Sequence, residues 1–352
     1  MNSFTNNFTY VFGIVLSVAM VASLILPLLT QNTVASTDVQ ATPIPEPTLP
    51  PTPDVTQINF DATYLHPSGM LTVGVPTGWL PSVQSNTENE IRSSFSNNDA
   101  LSIVEARVVQ PTEEVTDGET LSTFLSDTWL GQTWRDYQSW EETYRNVTDE
   151  GRVVIDFNLS RSGADFIARQ EAWVDNGDVY LVRVVTAVNA PEELKFLLAG
   201  VIDTLDVVDT YAETDMAWNG YFDNADKHLV RYPATWELAD AAEGLPATLT
   251  GDGVTLVVET ADVALDSEDA VIDWIENWRS GVEALTVEAV EVDGATGYEV
   301  SYKLTTLDGA PESGLAVLLA GEDNRLHVAN ARIANVDVDL QAATADEFPV
   351  LD

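Results

Sequence analysis

Two short acidic clusters offer the chemistry of a cation site: Asp175 and Asp178 in "DNGD", and Asp223 and Asp226 in "FDNAD". Closely spaced carboxylate and amide oxygens are the ligands calcium takes, but neither cluster opens an EF-hand loop ending in Glu. "DNGD" also lies between two alternating apolar runs. Asn176-Gly177 suits both central positions of a tight hairpin, so turn chemistry accounts for the cluster without a metal. The three histidines, His66, His228 and His327, are far apart and form no HExxH or other close ligand spacing. Each is expected in a solvated or core-edge position. GxxxxGK[ST], GxGxxG and GxSxG are all absent, which removes the common phosphate loops and the nucleophile elbow. Paired carboxylates for glycoside hydrolysis can be drawn in any chain with 57 acidic residues. That reaction needs two of them about 5–10 Å apart in a cleft, one with a raised pKa.

Aromatic side chains form the other candidate group. Trp129, Trp134, Tyr137, Trp140 and Tyr144 crowd one stretch of chain. Core and sheet-face burial is the plain account of such residues. Exposed, they would stack on sugar rings or form the hot spot of a partner interface. Trp134, Tyr137, Trp140 and Tyr144 are therefore the partner-binding candidates, with a protein or a glycan as the partner. No cofactor is expected, and Ca2+ at the Asp clusters is the one ion to consider.

These residues belong to a chain of 352 amino acids with 57 Asp and Glu against 15 Lys and Arg, a formal net charge of −42. Nucleic acid and anionic lipid headgroups would be repelled, so neither is a main partner. A hydrated acidic surface accounts for the excess; adaptation to high salt and weak divalent-cation binding are the sharper readings. Without cysteine, the chain has no disulfide framework, no Cys-ligated metal and no thiol nucleophile. Stability must come from burial of apolar surface, which two domains near 150 residues can supply.

Residues 1–9 are followed by "YVFGIVLSVAMVASLILPLLT" (10–30), with no charged side chain. The run is long enough to span a bilayer as a helix, and longer than the apolar core of most signal peptides. A membrane anchor is the favoured expectation. Cleavage of a long signal peptide after Val34-Ala35-Ser36, giving a secreted protein, is the alternative. A Thr/Pro-rich linker spans 31–59. Its segment "ATPIPEPTLPPTPDV" cannot form helix or sheet and would stand as a polyproline stalk of roughly 45 Å. Anchor, stalk and acidic globular part place the protein outside the cytoplasmic membrane.

Beyond residue 60 the chain reads as one unit written twice, at 60–210 and 218–352, joined by a linker at 211–217. "TVGVPTGW" and "LVRYPATW" both end an alternating run in Pro and Trp, giving Pro76, Trp79, Pro233 and Trp236 as structural residues. "ALSIVEARVV" and "GVTLVVETADV" follow as strands. Then "DGETLSTFLSDTW" matches "DSEDAVIDWIENW", each with an apolar helical stripe behind an acidic cap at Asp117 or Asp266. "RVVIDFNLS" and "GYEVSYKLT" alternate with period two, and a further strand pair follows in each half. Helix signals close the first unit in "NAPEELKFLLAGVIDTL", with Asn189 as cap, and recur more weakly in "ANVDVDLQAATADEF". Trp134, Tyr137 and Trp140 have no counterparts in the second unit. Many strands broken by few helices predict an α+β fold, two layered domains each with helices packed on an antiparallel sheet.

This order of Pro-x-x-Trp strand, capped helix, meander and closing helix resembles PsbP-type domains. The same fold occurs in Mog-type Ran-binding proteins and in bacterial surface proteins. The resemblance implies an α/β/α sandwich and a non-catalytic interaction module, and it carries over no ligand residue. The functional expectation is a membrane-anchored, extracytoplasmic binding or structural protein. An envelope hydrolase directed at glycans through paired carboxylates is the alternative.

Overall fold

The computed structural model describes residues 49–208, 214–226, 228–239, 241–292, 295–321 and 325–334. The expected anchor at 10–30, the linker up to residue 48, the turn at 322–324 and the last expected helix lie outside the described residues. Among the described residues no helix is long and apolar enough to cross a membrane.

The described chain is mostly strand. Its first sheet holds β3 (Leu80–Thr87), β4 (Glu90–Asn97), β5 (Ser102–Val109), β6 (Ser139–Val147), β7 (Val153–Arg161), β8 (Ala164–Asp175) and β9 (Asp178–Ala187). They run antiparallel in the order β3-β4-β5-β9-β8-β7-β6. A second sheet holds β13 (Glu237–Leu238), β14 (Ala247–Gly251), β15 (Val254–Ala261), β16 (Val282–Val292), β17 (Ala295–Thr305), β18 (Pro311–Ala320) and β19 (Leu326–Ala334). Its order, β13-β14-β15-β19-β18-β17-β16, repeats the first strand for strand. Each sheet is preceded by a hairpin, β1 (Ala62–Leu65) with β2 (Leu71–Val75), and β11 (Asn219–Asp223) with β12 (His228–Tyr232). β10 (Asp206–Val207) pairs with the free side of β2.

The hairpins end alike, because Pro76 and Pro233 cannot donate to a continuing ladder. The backbone then turns so that Trp79 N donates to Pro76 O at 3.0 Å and Trp236 N to Pro233 O at 2.9 Å. Both indoles are buried.

Alternation along each strand gives the first sheet two apolar faces. Val179, Leu181 and Val185 look toward α1 (Gly118–Phe124) and α2 (Asp127–Thr133), in a cluster with Leu121, Leu125, Leu130 and Trp134. Val182 and Val184 look the other way, toward Leu194, Leu197 and Val201 of α3 (Pro191–Ile202) and toward Trp79. In the second half α4 (Glu268–Trp278) lays Val271 and Ile275 on the equivalent of the first face. Helices therefore form a smaller part of the fold than a full layered sandwich implies. Two seven-stranded antiparallel sheets dominate it.

Local chemistry explains several element ends. Asp117 caps α1, its Oδ1 accepting from Thr120 N at 2.8 Å. The single helix read over 117–129 is two, because Leu125 leaves helical geometry at ψ 48° and α2 restarts after Ser126. The break turns Leu125 and Leu130 into the same core cluster. In the second half the cap is Ser267, one residue past Asp266, with its Oγ accepting from Ala270 N. Asn189 does not cap α3. It donates to Pro50 O at 3.1 Å and accepts from Thr52 Oγ1 at 3.1 Å, holding the end of the Pro-rich linker against the first half.

The two halves meet through the β1–β2 turn. Gly220 N donates to Pro67 O at 2.7 Å, and a Cβ on Gly220 would lie 2.7 Å from Gly69 Cα. Gly69 itself has φ +75°, so close approach and backbone conformation both call for glycine here. Arg231 of β12, almost fully buried, donates to Ser68 O at 2.7 Å and Asp215 O at 2.7 Å, and also bonds Thr214 Oγ1. Met216 sits in a core cluster with Met70, Leu71, Ile91 and Val108.

Candidate functional site

Polar side chains on the helix-covered face of the first sheet are arranged by strand register. Odd positions of β5 face α1 and α2, and β5 pairs Glu105 with Arg183 of β9 on one side and with Ser94 of β4 on the other. The next pair along brings Arg92 opposite Arg107. Arg183 in turn faces Gln170 of β8. The result is a band of polar groups inside an otherwise aliphatic layer.

Glu105 is the centre of the band and is 1% exposed. Its Oε2 accepts from Arg92 Nε at 2.7 Å, while Oε1 accepts from Arg107 Nε at 2.5 Å and lies 2.8 Å from Arg183 Nη2. Burial alone would push the Glu105 carboxyl up. Arg183, Arg107 and Arg92 together outweigh it and hold the group down at about 2. Burial also pulls the Arg183 guanidinium down to about 10 against the opposing pull of Glu105, which leaves it charged at neutral pH. Three guanidiniums on one carboxylate leave an excess of positive charge. Glu90 offsets part of it through a 3.4 Å contact with Arg107.

Trp134 of the aromatic stretch covers this band. Its ring lies 4.4 Å from Arg183 Cζ, a cation–π arrangement, with Tyr137 edge-on to it at 5.5 Å. Arg161 Cζ lies over the Tyr137 ring, 6.0 Å from its centroid. Between these groups is a cavity of about 390 Å³, lined among others by Arg92, Glu105, Trp134, Tyr137, Arg161 and Arg183. Four of the chain's 15 cationic residues thus gather at or beside one hollow in a protein of net charge −42. Arg183 Nη1 and Trp134 Nε1 are buried beside it without a hydrogen-bond partner, as are both amide atoms of Gln170 in the adjoining polar band. Leaving such a group unpaired costs about 1–3 kcal/mol, so apolar burial alone would not select this arrangement.

Leu101, at the mouth, has φ +55°, a left-handed backbone conformation uncommon for a branched side chain. Strain of this kind collects at ligand sites. The equivalent residue in the second half is Gly253, at φ +83°.

Other candidate residues are dispersed. Trp140 packs on Phe157 and lines a separate open hollow. A bulge between Glu142 and Tyr144 in β6 reverses the side-chain faces, so Tyr144 pairs with Asp156 and is exposed on the opposite side of the sheet. Asp175 and Asp178 face each other across the β8–β9 hairpin, where Asn176 (φ +51°) and Gly177 (φ +90°) make the turn. Burial, then the neighbouring Asp175, raises the Asp178 carboxyl. Asp223 is an internal cap: Oδ1 accepts from Ala225 N at 2.8 Å and Asp226 N at 3.0 Å, and Oδ2 from Gly244 N at 2.8 Å. Asp226 pairs with Arg325 at 2.7 Å. His228 and His327 approach to 6.5 Å between ring centroids, while His66 is buried in the β1–β2 turn. Among the described residues no three His, Asp or Glu side chains are grouped to hold a metal ion.

The second half holds a larger hollow, about 520 Å³, lined by aliphatic residues and Tyr298 with Asp266 and Glu291. No buried polar group without a partner lines it, and it has no cation.

Sequence patterning pointed to Trp134 and Tyr137 but passed over Glu105, Arg92, Arg107, Arg183 and Gln170. One signal was present. Arg183 shares parity with Val179, Leu181 and Val185, and Glu105 and Arg107 share parity with Ile103 and Val109, so charges stand at positions meant for the core.

No family model matches this chain, and no curated protein matches it. Among solved structures, a cyanobacterial PsbP (CyanoP) from Synechocystis sp. PCC 6803 is similar at 16% identity. That match covers 38% of this chain and 89% of its own, with a TM-score of 0.29. The T6SS immunity protein TplEi from Pseudomonas aeruginosa is similar at 13% identity over 76% of this chain and 93% of its own, with a TM-score of 0.24. Likeness at this level carries no argument about ligand or activity.

Proposed function

We propose that this chain is a membrane-anchored, extracytoplasmic binding protein without catalytic activity, displaying two PsbP-like repeats on a Pro-rich stalk. The first repeat binds the partner and the second serves as scaffold. One observation carries the reading: Arg92, Arg161 and Arg183 line a cavity of the first repeat beside the unpartnered donors Arg183 Nη1 and Trp134 Nε1, whereas the described lining of the 520 Å³ hollow in the second repeat holds no cation and no such donor. The charged apolar-face positions of the first repeat become Val257 and Asn330 in the second, at the same paired register.

The chemistry of the cavity favours binding over hydrolysis. Glu105 is held ionised by three guanidiniums, which unfits it as a general acid. Among the described residues the carboxyls that are raised, Asp178 and Glu193, belong to a hairpin turn and to the first turn of α3, where Glu193 accepts from Ser102 at 3.0 Å. They do not form a facing pair in the cavity.

Fractionation and capture test the two parts. The full chain is expected in the membrane fraction, and recovery in the soluble fraction overturns the anchor. Material retained from the native envelope by the wild-type chain is expected to fall severalfold with Arg161→Gln, which removes a rim charge outside the core. Retention unchanged by that substitution overturns the assignment of binding to this cavity.

A further inference from the structure

We infer that the cavity under Trp134 binds a single sugar carboxylate, of the uronic acid class, as a monomer or as the end of a chain. The inference rests on the reading of the first repeat as the binding module and names its ligand.

Charge sets the first requirement. Arg92, Arg161 and Arg183 line the cavity against Glu105 and Asp136, leaving one positive charge in excess. Among the guanidinium atoms still available is Arg183 Nη1, which is buried without a partner in a side chain 8% exposed. A planar carboxylate fits a guanidinium edge and would supply the hydrogen bond that Nη1 lacks. One carboxylate neutralises the excess. A second would find no partner, and the acidic surface of the rest of the chain repels a polyanion.

The remainder of the wall specifies the rest of the ligand. Ser96, Asn98 and Thr133 line the cavity, and their side chains make no hydrogen bond among the described residues. These hydroxyl and amide groups, which both donate and accept, match ring hydroxyls and not an aliphatic tail. Tyr137 and Phe166 supply aromatic surface beside them, the kind of surface on which the C–H face of a sugar ring packs. The volume, about 390 Å³, lies at the small end of ligand pockets, suited to one ring and not to an extended oligomer. An amphiphilic fatty or aryl carboxylate would satisfy Arg183 but strand the polar rim.

Calorimetry on the full chain tests this with four probes: sodium glucuronate, glucose, sodium acetate and an oligogalacturonate. Glucuronate is expected to bind, with glucose and acetate each weaker by about tenfold or more, since each offers only half of the recognised chemistry. The oligomer, counted per chain, is expected to bind no more tightly than the monomer. Arg161→Gln is expected to weaken glucuronate severalfold, and Arg183→Gln to abolish it. Should Arg183→Gln fail to fold, Asn98→Ala replaces it, with a severalfold loss expected for glucuronate and none for acetate. Glucose matching glucuronate, acetate matching glucuronate, or no glucuronate binding below ~1 mM overturns the ligand class. If glucuronate fails while Arg161→Gln still releases envelope material, the ligand class falls and the binding reading stands. If glucuronate binds and the substitution leaves envelope retention unchanged, the reverse holds.

Discussion

The two sheets share strand order, hairpin and Pro-x-x-Trp turn, yet the faces beneath their first helices are built from opposite materials. In the first, Glu105, Arg183 and Gln170 form a polar row across β5, β9 and β8. In the second the same row reads Val257, Asn330 and Ala316 across β15, β19 and β18. Phe157 and Ala168, adjacent in the first sheet, become Tyr302 and Gly314, and the Tyr302 ring occupies the space a Cβ on Gly314 would need. Tyr302 then donates its hydroxyl to Asn330. One copy fills this row with a ring and a neutral hydrogen bond; the other keeps charges beside a cavity that three arginines line. The same scaffold tolerates both, because a sheet face asks only that each buried polar group find a partner. Both rows keep an atom without a partner, Arg183 Nη1 in the first and Asn330 Nδ2 in the second, but only Arg183 lines one of the cavities described above, and that difference points to a ligand.

Breaking the shared part of the comparison should have the largest effect. Trp79→Ala and Trp236→Ala each remove a buried indole from the turn that follows the opening hairpin, and each is expected to cost about 3–5 kcal/mol. Chemical denaturation measures both, and a loss under ~1 kcal/mol for either would show that the two turns are not equivalent.

Next comes the charged row. Arg183→Asn or Glu105→Val alone leaves a buried charge short of its partner, for an expected loss of about 3 kcal/mol or more each. Together they write the residues of the second repeat into the first, and the double variant is expected to lose less than the sum by roughly 0.5–3 kcal/mol. Strict additivity in a double-mutant cycle would mean that Glu105 and Arg183 do not act as a pair.

A third contrast lies in the hairpin turns. His66 and Asp223 occupy the same register position, and each accepts a backbone N–H two residues on: Ser68 N at 3.0 Å to His66 Nδ1, Ala225 N at 2.8 Å to Asp223 Oδ1. Burial, aided by Arg231, depresses His66 to about 4 from an ordinary value of 6.5. The unfolded chain therefore takes the proton first. The stability this group contributes is present above pH 6.5 and lost as pH falls toward 4, on the order of 3 kcal/mol. Asp223 is depressed too, because its backbone donors outweigh burial, so its contribution is lost only below the ordinary carboxylate value of ~4. His66→Asp is expected to move the acid-sensitive window of the first repeat down to that of the second. An unchanged stability profile between pH 6.5 and 4 would remove His66 from this role.

The smallest effect concerns Leu101 and its counterpart Gly253. Leu101→Gly relieves the left-handed backbone and is expected to stabilise by about 1 kcal/mol, read as a rise in thermal midpoint. A fall would mean that the Leu101 side chain holds the cavity mouth more strongly than the backbone strain opposes it.

Much of this fold can be read from the chain. Period-two alternation in "RVVIDFNLS" and "GYEVSYKLT" marks β7 and β17, Asn176-Gly177 marks the β8–β9 turn, and Asp117 marks the start of α1. Helix content is less legible: the stripe from Leu121 to Trp129 stays continuous in sequence although Leu125 breaks it in space. The site is less legible still. Trp134 draws attention as an aromatic, but its burial depends on α2 lying over Arg183. Tyr144 looks like its companion until the bulge in β6 sends it to the other face.

By itself the sequence determined the duplication, the alternation that sorts side chains onto two faces, and the net charge of −42. Each of these depends on composition or on neighbours a few residues apart. Tertiary structure decided which charges meet. Glu105 and Arg183 are far apart in the chain and adjacent only because β5 pairs with β9 in one register, and a shift of one residue would send Glu105 to the opposite face.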